Sequence, residues 1–270
     1  MSSYCKFPAA ASGIPVALLA VSALLASSAL LVGPAAAQTR FADLPGDKAY
    51  RACVAYARKH PEDGFEAAIA WRDEGGGAAA RHCTAMALVN LGQHADAALR
   101  LETLAGEMTG FGAPQRAAVL GQSGRVWLRA GHPDRAYTAL TAAIDLAPDN
   151  LELYIDRGEI LAASDRLWEA VDDFNTALER APQSLDALIF RGAAYRLLEV
   201  ADLARDDLRA ALERDTDNPD ALVELGAVDL LDGNRDAARQ NWLQAISVAP
   251  ASPAADAARR WLEKIDVKIE

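Results

Sequence analysis

Few residues in this 270-residue chain have types and spacings that could do chemistry, and each such set falls short of a working constellation. His60, His82, His94 and His132 form neither an HExxH pair nor a Cys/His cluster with zinc spacing; His82 adjoins Cys83, but no further ligand pair accompanies them. Mostly they lie in or beside expected turns or helix ends, so a turn or surface role is the expectation for each, with no metal site. Gly75-Gly76-Gly77 lacks the lysine and hydroxyl residue of a phosphate-binding loop and reads as a flexible turn. Gly121-Gln122-Ser123-Gly124 has the wrong spacing for a nucleophile elbow, and a helical pattern surrounds it. The adjacent carboxylates Asp172-Asp173 and Asp206-Asp207 are expected on a solvated outer helix face. No catalytic residue and no cofactor is assigned, and the chain reads as a non-enzyme.

Composition narrows what is left. The net charge of -11 disfavours association with phosphate backbones, so no nucleic-acid partner is expected. Lys6 precedes an apolar and small-residue run from Ile14 to Val32, then Ala35-Ala36-Ala37, which together have the layout of a secretory signal over residues 1–37 cleaved after Ala37. An uncleaved inner-membrane anchor competes, because the run approaches the length that crosses a bilayer. Past Val32 no segment could span a membrane, so the mature chain is expected to be soluble and periplasmic. Cys5 leaves with the signal. Cys53 and Cys83 remain, to be joined in an oxidising compartment or to sit as buried apolar thiols.

Self-comparison finds the elements that organise the rest. Gly124, Gly158, Gly192 and Gly226 recur at a step of 34, as do Ala136, Ala170, Ala204 and Ala238, and again Ala143, Ala177, Ala211 and Ala245. A bulky residue stands three places before each of that last set: Leu140, Phe174, Leu208 and Trp242. Pro148, Pro182 and Pro250 close three of the units, where proline cannot continue a helix. Each unit shows two helical apolar patterns separated by a break, with small residues where the two helices approach and the bulky residue expected to fill the space between successive units.

On these columns the chain resembles the tetratricopeptide repeat (TPR) proteins, and the resemblance implies an all-α, right-handed α-solenoid of helix hairpins. Four regular units cover 117–150, 151–184, 185–218 and 219–252. Two divergent TPR-like hairpins occupy 47–111 after a lead-in over 38–46, and 112–116 is an insertion loop. Cys53 and Cys83 then take equivalent places in neighbouring first helices. Ser252-Pro253 opens a capping helix within 253–270, with Ala258, Trp261, Leu262 and Ile265 on one face. In the resembling family the first helices line a concave groove. Carried over by position, that groove offers Ile155, Ile189, Val223 and Phe190, with Glu152, Asp156, Glu159, Asp186, Asp220 and Glu224 set against Arg125, Arg129 and Arg196. The family's carboxylate-clamp set is missing. An apolar stripe among carboxylates suits a partner protein segment that is basic or amphipathic. Alternatively Ile155, Ile189 and Val223 pack against neighbouring helices and meet no partner. A periplasmic scaffold or assembly factor is thus the expectation, with a ligand or cell-wall-glycan sensor, or a regulatory subunit tethering an envelope enzyme, as alternatives.

Overall fold

A computed structural model describes Phe41, Leu44 and residues 46–266. The expected signal over 1–37, its cleavage point, most of the lead-in and the last residues of the tail lie outside the described residues. What is described is all α, without a strand. Helices pair as hairpins: α1 (Gly46–Lys59) with α2 (Pro61–Trp71), α3 (Gly77–Asn90) with α4 (His94–Glu107), and α5 (Ala113–Arg129) with α6 (Pro133–Leu146). They are followed by α7 (Leu151–Ala163) with α8 (Leu167–Arg180), α9 (Leu185–Leu197) with α10 (Ala201–Arg214), and α11 (Pro219–Leu231) with α12 (Arg235–Val248). Last, α13 (Pro253–Asp266) packs on α11 and α12. Each hairpin also packs on the next, as an α-solenoid requires. No described helix is long and apolar enough to cross a membrane.

Local chemistry sets the helix ends. The side chains of Asn150, Ser184, Asn218 and Ser252 accept from backbone N–H groups of the first turns of α7, α9, α11 and α13, satisfying donors that have no partner within the helix. Between the two helices of a unit the chain turns through one left-handed residue at the 34-residue step: Gly131 (φ 77°), Asp165 (φ 60°), Glu199 (φ 60°) and Gly233 (φ 79°). Two of these positions thus carry a Cβ where glycine fits without strain.

The small-residue columns are the hairpin seams. All eight alanines of the two columns are fully buried. A Cβ at Gly124 would come within 2.7 Å of Leu140, one at Gly192 within 2.8 Å of Leu208, one at Gly226 within 2.5 Å of the Trp242 indole, and one at Gly158 would strike the Phe174 ring. The bulky residues therefore lie over the glycine of their own unit, inside the hairpin, rather than chiefly between units as the spacing suggested. At the C-terminal end Trp242 and Trp261 stack at 5.5 Å, and α13 covers the apolar face that a further unit would otherwise have to bury.

At the N-terminal end Cys53 of α1 and Cys83 of α3 are joined by a disulfide, with Cα atoms 6.2 Å apart and no exposed surface. The triglycine is not a plain loop. Residues Arg72–Gly76 form a π-turn between α2 and α3, with Gly75 at φ 95°, and a Cβ at Gly76 would collide with the Trp71 indole.

Candidate interaction surface

First helices α5, α7, α9 and α11 stand side by side and form one wall, and the candidate groove residues divide on it by burial. Ile189 and Val223 are 7% and 5% exposed: they pack inside the array, Ile189 with Leu178, Ala187 and Ala211, and Val223 with Leu222 and Trp242. The Trp242 indole N–H donates to the Val223 carbonyl at 3.0 Å, which ties this position to the next helix. Buried this way against second-helix side chains, they are unavailable as free anchors. Ile155 and Phe190 are half-buried against the same inner cluster, and Phe190 stacks on Phe174 at 6.0 Å.

The charged candidates divide in the same way. Arg125 pairs with Asp156 of the next unit and lies 3.8 Å from Glu152, and Arg196 meets Glu224 at 2.6 Å. Burial pushes the Asp156 carboxyl up, and Arg125 pulls it back. Glu159, Asp186 and Asp220 have no ion pair among the described residues, and Asp186 and Asp220 are exposed. Burial, reinforced by Asp156 and Asp186, raises Glu159 to about 7 against the pull of Arg125. Arg129 is exposed at the end of α5. The wall's surplus is therefore negative and lies along α7, α9 and α11.

Sequence reasoning missed two exposed apolar residues on the same helices. Leu197 and Leu231, about half exposed, end α9 and α11 at the 34-residue step. That recurrence was the signal that could have found them. Together with Asp186 and Asp220 at the helix starts, they give the wall acidic side chains at one end and apolar ones at the other. A helix of 13 residues is about 20 Å long at 1.5 Å per residue, which sets the distance between the two rims.

Asp173 and Asp207 depart from the expected solvated face. Both are buried and each takes a bidentate arginine from its own unit: Arg157 to Asp173 at 2.8 and 2.7 Å, Arg191 to Asp207 at 2.7 and 2.6 Å. Each arginine also reaches one unit back, Arg157 to Thr141 and Arg191 to Asn175. These clamps tie successive hairpins and so hold the wall. Hydrogen bonding to the paired carboxylate raises both arginines further. His82 also departs from a turn or surface role. It sits within α3, where Tyr50 donates to Nδ1 at 3.0 Å and Nε2–H donates to Gln122 at 2.6 Å, so one imidazole ties three first helices. Burial lowers its pKa, which keeps it neutral in that relay. Among the described residues no group of three His, Cys, Asp or Glu side chains is placed to hold a metal ion.

The fold is shared with solved structures. MamA from Desulfovibrio magneticus RS-1 superposes with a TM-score of 0.55 at 17% identity, over 66% of this chain and 98% of that one. A thermophilic TPR protein of Thermus thermophilus, TTC0263, gives a TM-score of 0.56 at 23% identity, over 68% of this chain and 96% of that one. A tetratricopeptide repeat protein from Parabacteroides merdae ATCC 43184 gives 0.58 at 20% identity, over 71% and 74%. No family model and no curated protein matches the sequence. The likeness defines the fold as a TPR-type α-solenoid.

Proposed function

We propose that this protein is an interaction scaffold of the periplasm, and that its first-helix wall takes a basic segment of another protein that carries an apolar face. The observation that carries this reading is the pair of exposed carboxylates Asp186 and Asp220, at the starts of successive first helices, with no cation among the described residues paired to them. Opposite charge on a partner would steer encounter and fix register, and Leu197 and Leu231 would receive its apolar side. The disulfide fits an oxidising compartment, which supports export. Phe190 and Tyr195 are both half-buried in the array, and so offer little of the flat aromatic platform a glycan sensor would need.

The test is recovery of partners from an envelope extract on immobilised protein, comparing wild type with Asp186→Lys plus Asp220→Lys. Both positions are exposed, so the variant keeps its fold, which circular dichroism verifies. A partner that is lost on charge reversal and at high salt supports the proposal. Undiminished recovery by the folded variant rejects it.

A further inference from the structure

A concavity of about 720 Å³ lies at the N-terminal end of the array, built from residues before the acidic wall begins. It is bounded by α1, the π-turn glycines, α3, the segment from Leu104 to Phe111 and the start of α5. Its space exists because the residues facing it are small: Ala49, Gly75, Gly76, Ala78, Ala79 and Ala118. Its walls are apolar, from Trp71, Leu104, Met108 and Val119, with Leu44 and Phe111 on the lining and 37% and 50% exposed. Apolar side chains left this open beside a cavity are the usual signature of a ligand site rather than of a packing defect.

Size and charge narrow the ligand. At about 720 Å³ the concavity falls in the size range of small-ligand pockets. The polar groups on the lining are Tyr50, His82, Gln115 and Asp47. Both nitrogens of His82 are already engaged, by Tyr50 and Gln122, and the Tyr50 proton is spent on His82, so the Tyr50 oxygen faces a ligand only as an acceptor. Asp47 is exposed and is the one formally charged residue on the lining among the described residues; no lysine or arginine joins it.

We infer that this concavity binds a small amphiphilic cation, its apolar body lodged against Trp71, Met108 and Phe111 and its positive head against the Asp47 carboxylate and the Tyr50 oxygen. The site is separate from the acidic wall, so its failure would leave the scaffold reading untouched.

The test is isothermal titration of the full chain with decyltrimethylammonium below its micelle concentration, with decyl sulfate as the charge-reversed control. Saturable one-to-one binding of the cation and none of the anion is expected. Asp47→Asn should weaken it about fivefold, the worth of one exposed charge pair. Ala118→Leu, which places a bulky side chain in the lining, should weaken it severalfold; Ala118 is exposed at the edge of α5, so the array stays folded. Asp220→Asn, on the acidic wall, should leave it unchanged. Equal binding of both amphiphiles, no binding of either, or insensitivity to Ala118→Leu would overturn the inference.

Discussion

Replacing Asp207 with leucine separates a buried clamp from a surface charge. Asp207 is 9% exposed and Arg191 is 21% exposed at the side chain, and the two share a pair of charge-assisted hydrogen bonds at 2.6 and 2.7 Å. Breaking a buried ion pair from one side costs about 3 to 5 kcal/mol, because the remaining charge stays buried without its counterion. The partial exposure of Arg191 and its second bond to Asn175 soften this, which places Asp207→Leu near the lower figure, about 3 kcal/mol. Removing both charges with Arg191→Met and Asp207→Leu together should cost under about 1 kcal/mol, so the cycle yields a coupling of at least about 2 kcal/mol. The neighbouring Asp206 is exposed, and Asp206→Leu should move stability by no more than about 0.5 kcal/mol. Urea unfolding followed by circular dichroism measures these variants and the single Arg191→Met, with an unchanged m-value in each required because repeat arrays can lose cooperativity. If Asp207→Leu behaves like Asp206→Leu, or if the two clamp substitutions simply add, the ion pair does not hold the α9–α10 hairpin together.

Three further outcomes follow from the geometry. Glu199 holds φ 60° where the units 117–150 and 219–252 use glycine, so Glu199→Gly should stabilise by about 0.5 to 1 kcal/mol, the relief of left-handed strain less the entropy glycine returns to the unfolded chain, read as a higher urea midpoint. Opening the Cys53–Cys83 bridge, which spans 30 residues, by Cys53→Ala with Cys83→Ala should cost roughly 3 to 4 kcal/mol on the chain-entropy model; wild type should also shift on a gel between oxidising and reducing conditions, and the variant should not. Glu159 is raised in the fold from 4.5 to about 7, so the folded state holds its proton where the unfolded state has lost it; stability should fall as pH rises from about 4.5 to about 7 and stay level above, and Glu159→Gln should remove that part of the slope in urea titrations run across this range.

Much of the architecture was legible because the hairpin seam admits only small residues, and Gly158 under Phe174 or Gly226 under Trp242 leaves that constraint in plain view at a fixed step. The surface was less legible. Asp173 and Asp207 look like half of a solvated carboxylate pair until the arginines at the same step, Arg157 and Arg191, are set beside them, and only packing shows that the four meet. Ile189 and Val223 share a unit position with the half-buried Ile155, yet the wall's neighbours bury them, a tertiary effect that spacing along one chain does not encode. The N-terminal concavity left no chemical trace either, since alanine and glycine make it by what they lack.

Site-specific photocrosslinking in living cells addresses the central claim most directly: a crosslinking residue at Asp186, on the first-helix wall, is compared with one at Asp172, exposed on a second helix of the neighbouring unit. The account predicts a discrete protein adduct from position 186, absent from 172 and abolished by Asp220→Lys; adducts of equal yield from both positions, or from 172 alone, would contradict it.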